Sequence, residues 1–126
     1  MKIALGCDHG ALALKDQVAK HLTQKGFLVK DCGTYTPDSC DYPDFAGPAA
    51  QAVVSGECEK GIVLCTTGIG VCITANKAGA SCALVYNELS VKVAKADPSV
   101  NMIAFGAAVV GEKLALEMTD LWLDPA

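Results

Sequence analysis

Arginine is missing from this chain: all ten basic residues among its 126 are lysines, at positions 2, 15, 20, 25, 30, 60, 77, 92, 95 and 113. Without a guanidinium there is no bidentate clamp for phosphate or carboxylate, and any side-chain cation offered to an anion is a lysine acting as a point charge. The lysines are scattered, and the formal net charge is −4. That distribution argues against nucleic acid and acidic membrane surfaces as partners. Export and membrane signals are missing as well. The apolar runs fall short of a membrane span, and the N-terminus reads as the strand KIALGC rather than a basic region leading into a long apolar stretch. The expectation is a soluble, cytoplasmic protein. Seven cysteines, an odd number, include no C-x-x-C pair, so reduced thiols are expected rather than a disulfide framework. No internal repeat, low-complexity tract, linker or P-loop is present.

What the chain does contain is apolar material: 52% hydrophobic residues and a mean hydropathy of +0.34. That suffices for one well-packed core, and the length favours a single domain over residues 1–126. Strand and helix signals alternate. Residues 2–7 read as a strand. From Ala11 to Lys25 the fourfold spacing of Leu14, Val18 and Leu22 predicts a helix stopped by Gly26. Phe27–Asp31 reads as a second strand. Thr34–Asp44, rich in turn formers, is the one long loop. A helix capped by Asp44 follows, tolerating Pro48 in its first turn, and runs to about Ser55. The remaining elements are a strand at Gly61–Leu64, a short helix at Ile69–Asn76, a strand at Ser81–Tyr86, a helix at Glu88–Ala96, a strand at Met102–Phe105 and a last helix at Gly111–Leu123. Strands that are apolar on both faces and alternate with helices predict a doubly wound, three-layer α/β/α sandwich on a five-stranded parallel sheet.

In such sheets ligands bind beyond the carboxyl ends of the strands. Those ends carry Cys7-Asp8-His9, Cys65-Thr66-Thr67 and Gly106. Cys65 ends a strand and precedes a helix, where N–H groups favour a thiolate able to abstract a proton. Thr66, Thr67, Gly68 and Gly70 supply donors for an oxygen that gains charge when a carbonyl becomes an enediolate. Gly68-x-Gly70 is an incomplete dinucleotide fingerprint, since residue 73 is Ile. Cys65 as a plain buried core thiol is an equal reading at this point. Asp8 and His9 pair a carboxylate with an imidazole, suited to acid or base work; a helix cap and, more remotely, a zinc site using Cys7 and His9 are the other readings. His21, between Val18 and Leu22, reads as structural.

Five ordered motifs carry a resemblance across nearly the whole chain: Gly6-Cys7-Asp8-His9-Gly10, Asp41-Tyr42-Pro43-Asp44-Phe45-Ala46, Cys65-x-Thr67-Gly68-Ile69-Gly70, Ala75-Asn76-Lys77 and Asn101-x-x-Ala104-Phe105-Gly106. Their order resembles that of the type B ribose-5-phosphate isomerases, whose wider family includes the subunits of galactose-6-phosphate isomerase. The resemblance implies aldose–ketose isomerisation of a sugar or sugar phosphate, a pentose phosphate first, with no metal or organic cofactor. It implies Cys65 as the base that shuttles a proton through an enediolate, with Thr67 and Asp97 in the catalytic set. Asp8, His9, Tyr42, Thr66, Gly68, Ile69, Gly70, Asn76 and Lys77 are implied as the substrate-binding set. It also implies a homodimer or higher homo-oligomer with active sites between subunits.

Departures from the family pattern run in one direction. The ring-opening histidine of the His-Asn-Asp-x-Asn run falls on Asp97 in Asp97-Pro98-Ser99-Val100-Asn101. A carboxylate with an ordinary pKa of roughly 4 is ionised at neutral pH and is a poor proton donor to a ring oxygen, though it can serve as a base. Family arginines align with Ser81 and Ala108, and the arginine-bearing C-terminal helix is expected to be missing after Leu123. Thr66 stands where the family has glycine. Two further readings follow: a subunit that completes its site with a related partner, and a binding protein that keeps the fold without turnover.

Overall fold

The computed structural model describes residues 1–33 and 43–124, with the backbone alone for 43–45. Five strands, β1 (Lys2–Cys7), β2 (Leu28–Asp31), β3 (Lys60–Cys65), β4 (Cys82–Leu84) and β5 (Met102–Gly106), form one sheet in the order β2-β1-β3-β5-β4. Every pairing is parallel. The helices are α1 (Leu12–Gln24), α2 (Pro43–Val54), α3 (Ile69–Lys77), α4 (Glu88–Ala96) and α5 (Ala107–Leu123), with a short 3-10 turn at His9–Ala11 before α1. No helix among the described residues is long and apolar enough to cross a membrane.

Because side chains alternate across a strand, the sheet presents two different cores. Ile3, Leu5, Ile62, Leu64, Ile103 and Phe105 face α1, α4 and α5, which contribute Leu14, Val18, Leu22, Val91, Met118 and Trp122. Ala4, Val63, Cys65, Met102 and Ala104 face the other way, against Ala46, Ala49, Ala50 and Val53 of α2 and Val71 and Ala75 of α3. The first layer is filled by large side chains. The second is mostly alanine, which lets α2 and α3 sit close to the strand ends that carry Cys65.

Charged and polar groups pin the first layer at two points. Lys15 is 1% exposed, with its Nζ 2.7 Å from Asp31 Oδ2 and 3.0 Å from Asp16 Oδ1. His21 Nε2 lies 2.8 Å from Asp120 Oδ1, joining α1 to α5 in the structural role expected of it.

The architecture is the expected three-layer sandwich, and its boundaries differ in two places. β4 keeps only three residues of the expected six, because this edge strand pairs only with β5, from Cys82 opposite Met102 to Leu84 opposite Ala104. The last element begins earlier, at Ala107, and Gly111, at φ 70° and ψ 170°, divides it into a first turn and the longer helix expected up to Leu123. The expected helix start at that glycine is therefore a kink within one longer element. Tyr42 and most of the expected long loop lie outside the described residues, as does the side chain of the expected cap Asp44.

Candidate active site

The strand order turns at β1 and β3, since β2 lies to one side of β1 and the later strands lie beyond β3. A crevice at the carboxyl edge of such a sheet opens at that switch. Cys7 of β1 pairs with Leu64 of β3, and Cys65 pairs with Gly106 of β5, so three strand ends meet there.

Cys65 is the last residue of β3 and is 5% exposed. Its Sγ accepts a hydrogen bond from the Gly68 amide at 3.0 Å. Gly68 can turn the chain at this point because its φ is +86°, a conformation side chains disfavour. It is also the residue before the first turn of α3. The Ile69 amide donates to Thr67 Oγ1 at 3.3 Å, and the amides of Gly70 and Val71 complete the helix start, where N–H groups lack carbonyls of their own helix. The arrangement places a sulfur and a set of main-chain donors on one loop. It can accept a proton and hold an anionic oxygen.

The loop is held from beneath. The Ala108 amide donates to the Thr66 carbonyl at 3.0 Å. A Cβ on Gly106 would lie 2.4 Å from the carbonyl carbon of Thr67 and 2.6 Å from the carbonyl oxygen of Thr66, so only glycine fits under the loop. A Cβ on Gly10 would lie 2.3 Å from Thr66 Oγ1. Thr66 is thus seated over a glycine within the 3-10 turn that precedes α1.

Asp8 is 8% exposed, and its Oδ1 accepts from the Gly10 amide at 2.9 Å. It caps the 3-10 turn while its own amide is bonded to the Leu64 carbonyl at 3.2 Å. The cap reading and the site reading therefore apply to the same carboxylate. His9 is exposed at the same edge. A cavity of about 300 Å³ opens beside it between the starts of α1 and α5, lined by Gly10, Leu14, Gln17, Ala107 and Glu112 among others. No lysine is among its described lining residues, and Glu112 adds an anion. Among the described residues no three metal-ligating side chains converge.

Asp8, His9, Cys65, Thr66, Thr67, Gly68, Ile69 and Gly70 are thereby brought together. Asn76, Lys77 and Asp97 are not. A helix following a parallel strand runs back toward the amino edge of the sheet, so the ends of α3 and α4 lie at the edge opposite Cys65. For α3 that is roughly 13 Å away at 1.5 Å per residue. Asn76 is occupied there: its Oδ1 accepts from the Cys82 amide at 2.8 Å and its Nδ2 donates to the Cys82 carbonyl at 3.0 Å. It clamps α3 to β4. Asp97 ends α4, exposed, and Oδ1 accepts from the Ser99 amide at 2.9 Å and the Ser99 hydroxyl at 2.7 Å. These bonds to Ser99, the hydroxyl first, hold its carboxyl below the usual range. Within this chain Asp97 is a turn-forming carboxylate. The glycines beneath the loop were missed as site residues because nothing local in the sequence says that Gly10 and Gly106 approach residues 66 and 67.

The ribose/galactose isomerase family model matches residues 3–126. Ribose-5-phosphate isomerase B of Escherichia coli strain K12 is 42% identical over 123 residues, which cover 97% of this chain and 83% of that protein. The D-erythrulose-4-phosphate isomerase of Pectobacterium atrosepticum is 40% identical over 127 residues, covering 98% and 83%. The solved structure of Clostridium thermocellum ribose-5-phosphate isomerase B superposes with a TM-score of 0.95 at 44% identity, covering 98% of this chain and 84% of that one. Family model, full-length similarity and superposed fold agree, and this chain is an isomerase of the ribose/galactose isomerase family.

Proposed function

We propose that this chain interconverts an aldose and a ketose of the sugar phosphate class, with a pentose phosphate as first substrate and Cys65 as the base. The observation that carries the reading is the 3.0 Å contact between Cys65 Sγ and the Gly68 amide at a helix start, on a loop floored by Gly106. The Cys65 thiolate takes the proton from C2 of the open-chain aldose. Electrons of that C–H bond form the C1–C2 double bond, and the carbonyl oxygen on C1 becomes anionic beside the main-chain amides of residues 68–71. The proton on O2 passes to O1, and the Cys65 thiol returns its proton to C1 as the C2 carbonyl forms. No net electron is lost, so the reaction needs only positioning and proton transfer. Asp8 and His9 are the proposed partners of substrate hydroxyls.

Two features shape the substrate. The cavity beside His9 has no described cation, so a phosphate there would need a charge from elsewhere, for which Lys77 of a second copy is the proposed source. Asp97, ionised and tied to Ser99, suits an open-chain substrate better than a closed ring. The same feature favours a second reading, in which a related subunit carrying a histidine completes the site.

The test is solvent deuterium incorporation at C1 or C2, followed by NMR, across phosphorylated and free tetroses, pentoses and hexoses. Cys65→Ala should lower exchange by about 10²-fold or more. Exchange in none of the sugars, or full exchange in Cys65→Ala, overturns the reading. Exchange that appears only when a histidine-bearing homologue is added selects the second one.

A further inference from the structure

Six of the seven cysteines lie among the described residues, and two of them, outside the site, face each other across the α3–β4 contact. The Cys72 thiol donates to the Cys82 carbonyl oxygen at 3.5 Å, so its sulfur lies against the residue that carries the second thiol. Asn76, one turn along α3, bonds both the amide and the carbonyl of Cys82 and brings its Nδ2 within 3.7 Å of Cys72 Sγ. Asn76 therefore ties the main chain of Cys82 to the turn of α3 that carries Cys72. Both residues are half-buried, which admits a small oxidant.

We propose that Cys72 and Cys82 form a peroxide-oxidisable dithiol on the helix that carries the Cys65 loop, with Cys72 the attacking thiol and Cys82 the resolving one. Hydrogen bonds from Cys82 and, against the effect of burial, from Asn76 bring the Cys72 pKa down to about 7. The partner that donates, Cys82, is pushed upward by the same bond, and burial pushes Cys32 and Cys58 upward too. The Cys72 thiolate attacks one peroxide oxygen, forming an S–O bond as the O–O bond breaks, and the departing hydroxide is protonated to water. Cys82 then attacks the sulfenic sulfur, releasing a second water and leaving the disulfide. Two thiols give up two electrons and two protons to one peroxide, and a thiol reductant reverses the step.

A short bonded path joins this pair to the reactive loop. The Cys72 amide donates to the Gly68 carbonyl at 3.2 Å, and the Gly68 amide donates to Cys65 Sγ. Closing the disulfide draws Cys72 away from its present contact and disturbs the helix start that holds Cys65. This regulatory consequence rests on Cys65 being the base; the dithiol itself does not.

The experiment is a hydrogen peroxide titration of the whole protein, quenched by alkylation and digested with trypsin. Cleavage after Lys60, Lys77 and Lys92 puts Cys65 and Cys72 in one peptide and Cys82 in the next, so fragmentation must assign the bond. The expected result is a reductant-reversible Cys72–Cys82 link formed at about tenfold less peroxide than oxidises Cys32 or Cys58. Cys82→Ser should instead accumulate a dimedone-trappable sulfenic acid at residue 72. A link through Cys65, sulfinic acid at Cys72 with no link, or uniform oxidation of all thiols would overturn the dithiol. Turnover should fall several-fold as the link forms and be insensitive to peroxide in Cys72→Ser over that range. A link formed with turnover unchanged overturns the coupling to the loop. If no sugar turns over, it is the proposed function that fails, and the peptide assignment still decides the dithiol.

Discussion

Replacing Gly106 by alanine isolates what the floor of the loop contributes. The added Cβ would sit 2.4 and 2.5 Å from the carbonyl carbon and Cα of Thr67, and 2.6 Å from the Thr66 carbonyl oxygen. Carbon atoms in contact ordinarily stand about 3.5–4.0 Å apart, so the shortfall exceeds 1 Å. All three atoms are main chain, so no rotamer relieves the overlap. β5 lies between β3 and β4 and is fully buried, which leaves the exposed loop as the part that moves. That displacement breaks the 3.0 Å bond from Ala108 to Thr66 and lengthens the one from Gly68 to Cys65. A shift of about 1 Å at a reacting group can cost roughly 10²-fold in rate. Overpacking costs roughly 1–3 kcal/mol in stability, on the order of 4–12 °C in Tm. Deuterium exchange into the best substrate and thermal unfolding measure the two effects, and kcat should fall more than KM rises. Gly47→Ala is the control: nothing lies within 4 Å of its added Cβ inside α2, so it should gain roughly 0.5–1 kcal/mol without touching turnover. A folded Gly106→Ala protein with kcat within about threefold of the parent would refute the claim that this glycine positions the base.

Other predictions concern the neighbours of the loop and the pinned layer beneath it. Gly10→Ala should destabilise because its Cβ meets the stiff, β-branched Thr66 at 2.3 Å, and Thr66→Gly in the same chain should restore most of the loss; denaturant unfolding of the four combinations measures the coupling, and additive losses would refute the contact. Lys15→Met should cost roughly 1–3 kcal/mol, since it removes the charged bond to Asp31 Oδ2 while keeping the buried stem. Burial alone would lower the Lys15 pKa, but its bonds to Asp31 and then Asp16 outweigh burial and raise it. Its folded-state value lies above the unfolded one, so this stability is present below about pH 10.5 and is lost as pH rises through the folded pKa. Unfolding curves at pH 8 and pH 11 should therefore converge between parent and variant, and a constant gap would contradict the assignment. Asp97→His should raise turnover of ring-closed sugars relative to open-chain ones, because an imidazole can donate a proton at neutral pH; an unchanged ratio argues that ring opening does not use this position.

Local pattern in the chain was enough for the architecture. Alternating runs such as KIALGC and GIVLC, separated by helical periods and glycine stops, admit few arrangements other than a parallel sheet covered on both faces. The same local logic placed Cys65 at a strand end before a helix, and it located Asp8 and His9. Periodicity is a property of neighbours along the chain, so it survives without tertiary knowledge. It erred where pairing decides the outcome: β4 is short because an edge strand is limited by its single partner.

Residue types along the chain determined the parallel α/β sandwich, the thiol with its turn of main-chain donors, and the absence of a guanidinium for an anion. Only the tertiary structure decided which of the motif residues share a site. It brought Asp8, His9 and the 65–70 loop to the strand switch and sent Asn76, Lys77 and Asp97 to the far edge. It also set Gly10 and Gly106 against the loop and Cys72 against Cys82. The reason is physical: spacing along a strand or helix sets which face a residue takes, but contacts between residues 10 and 66, or 106 and 67, exist only once strands distant in sequence are registered side by side.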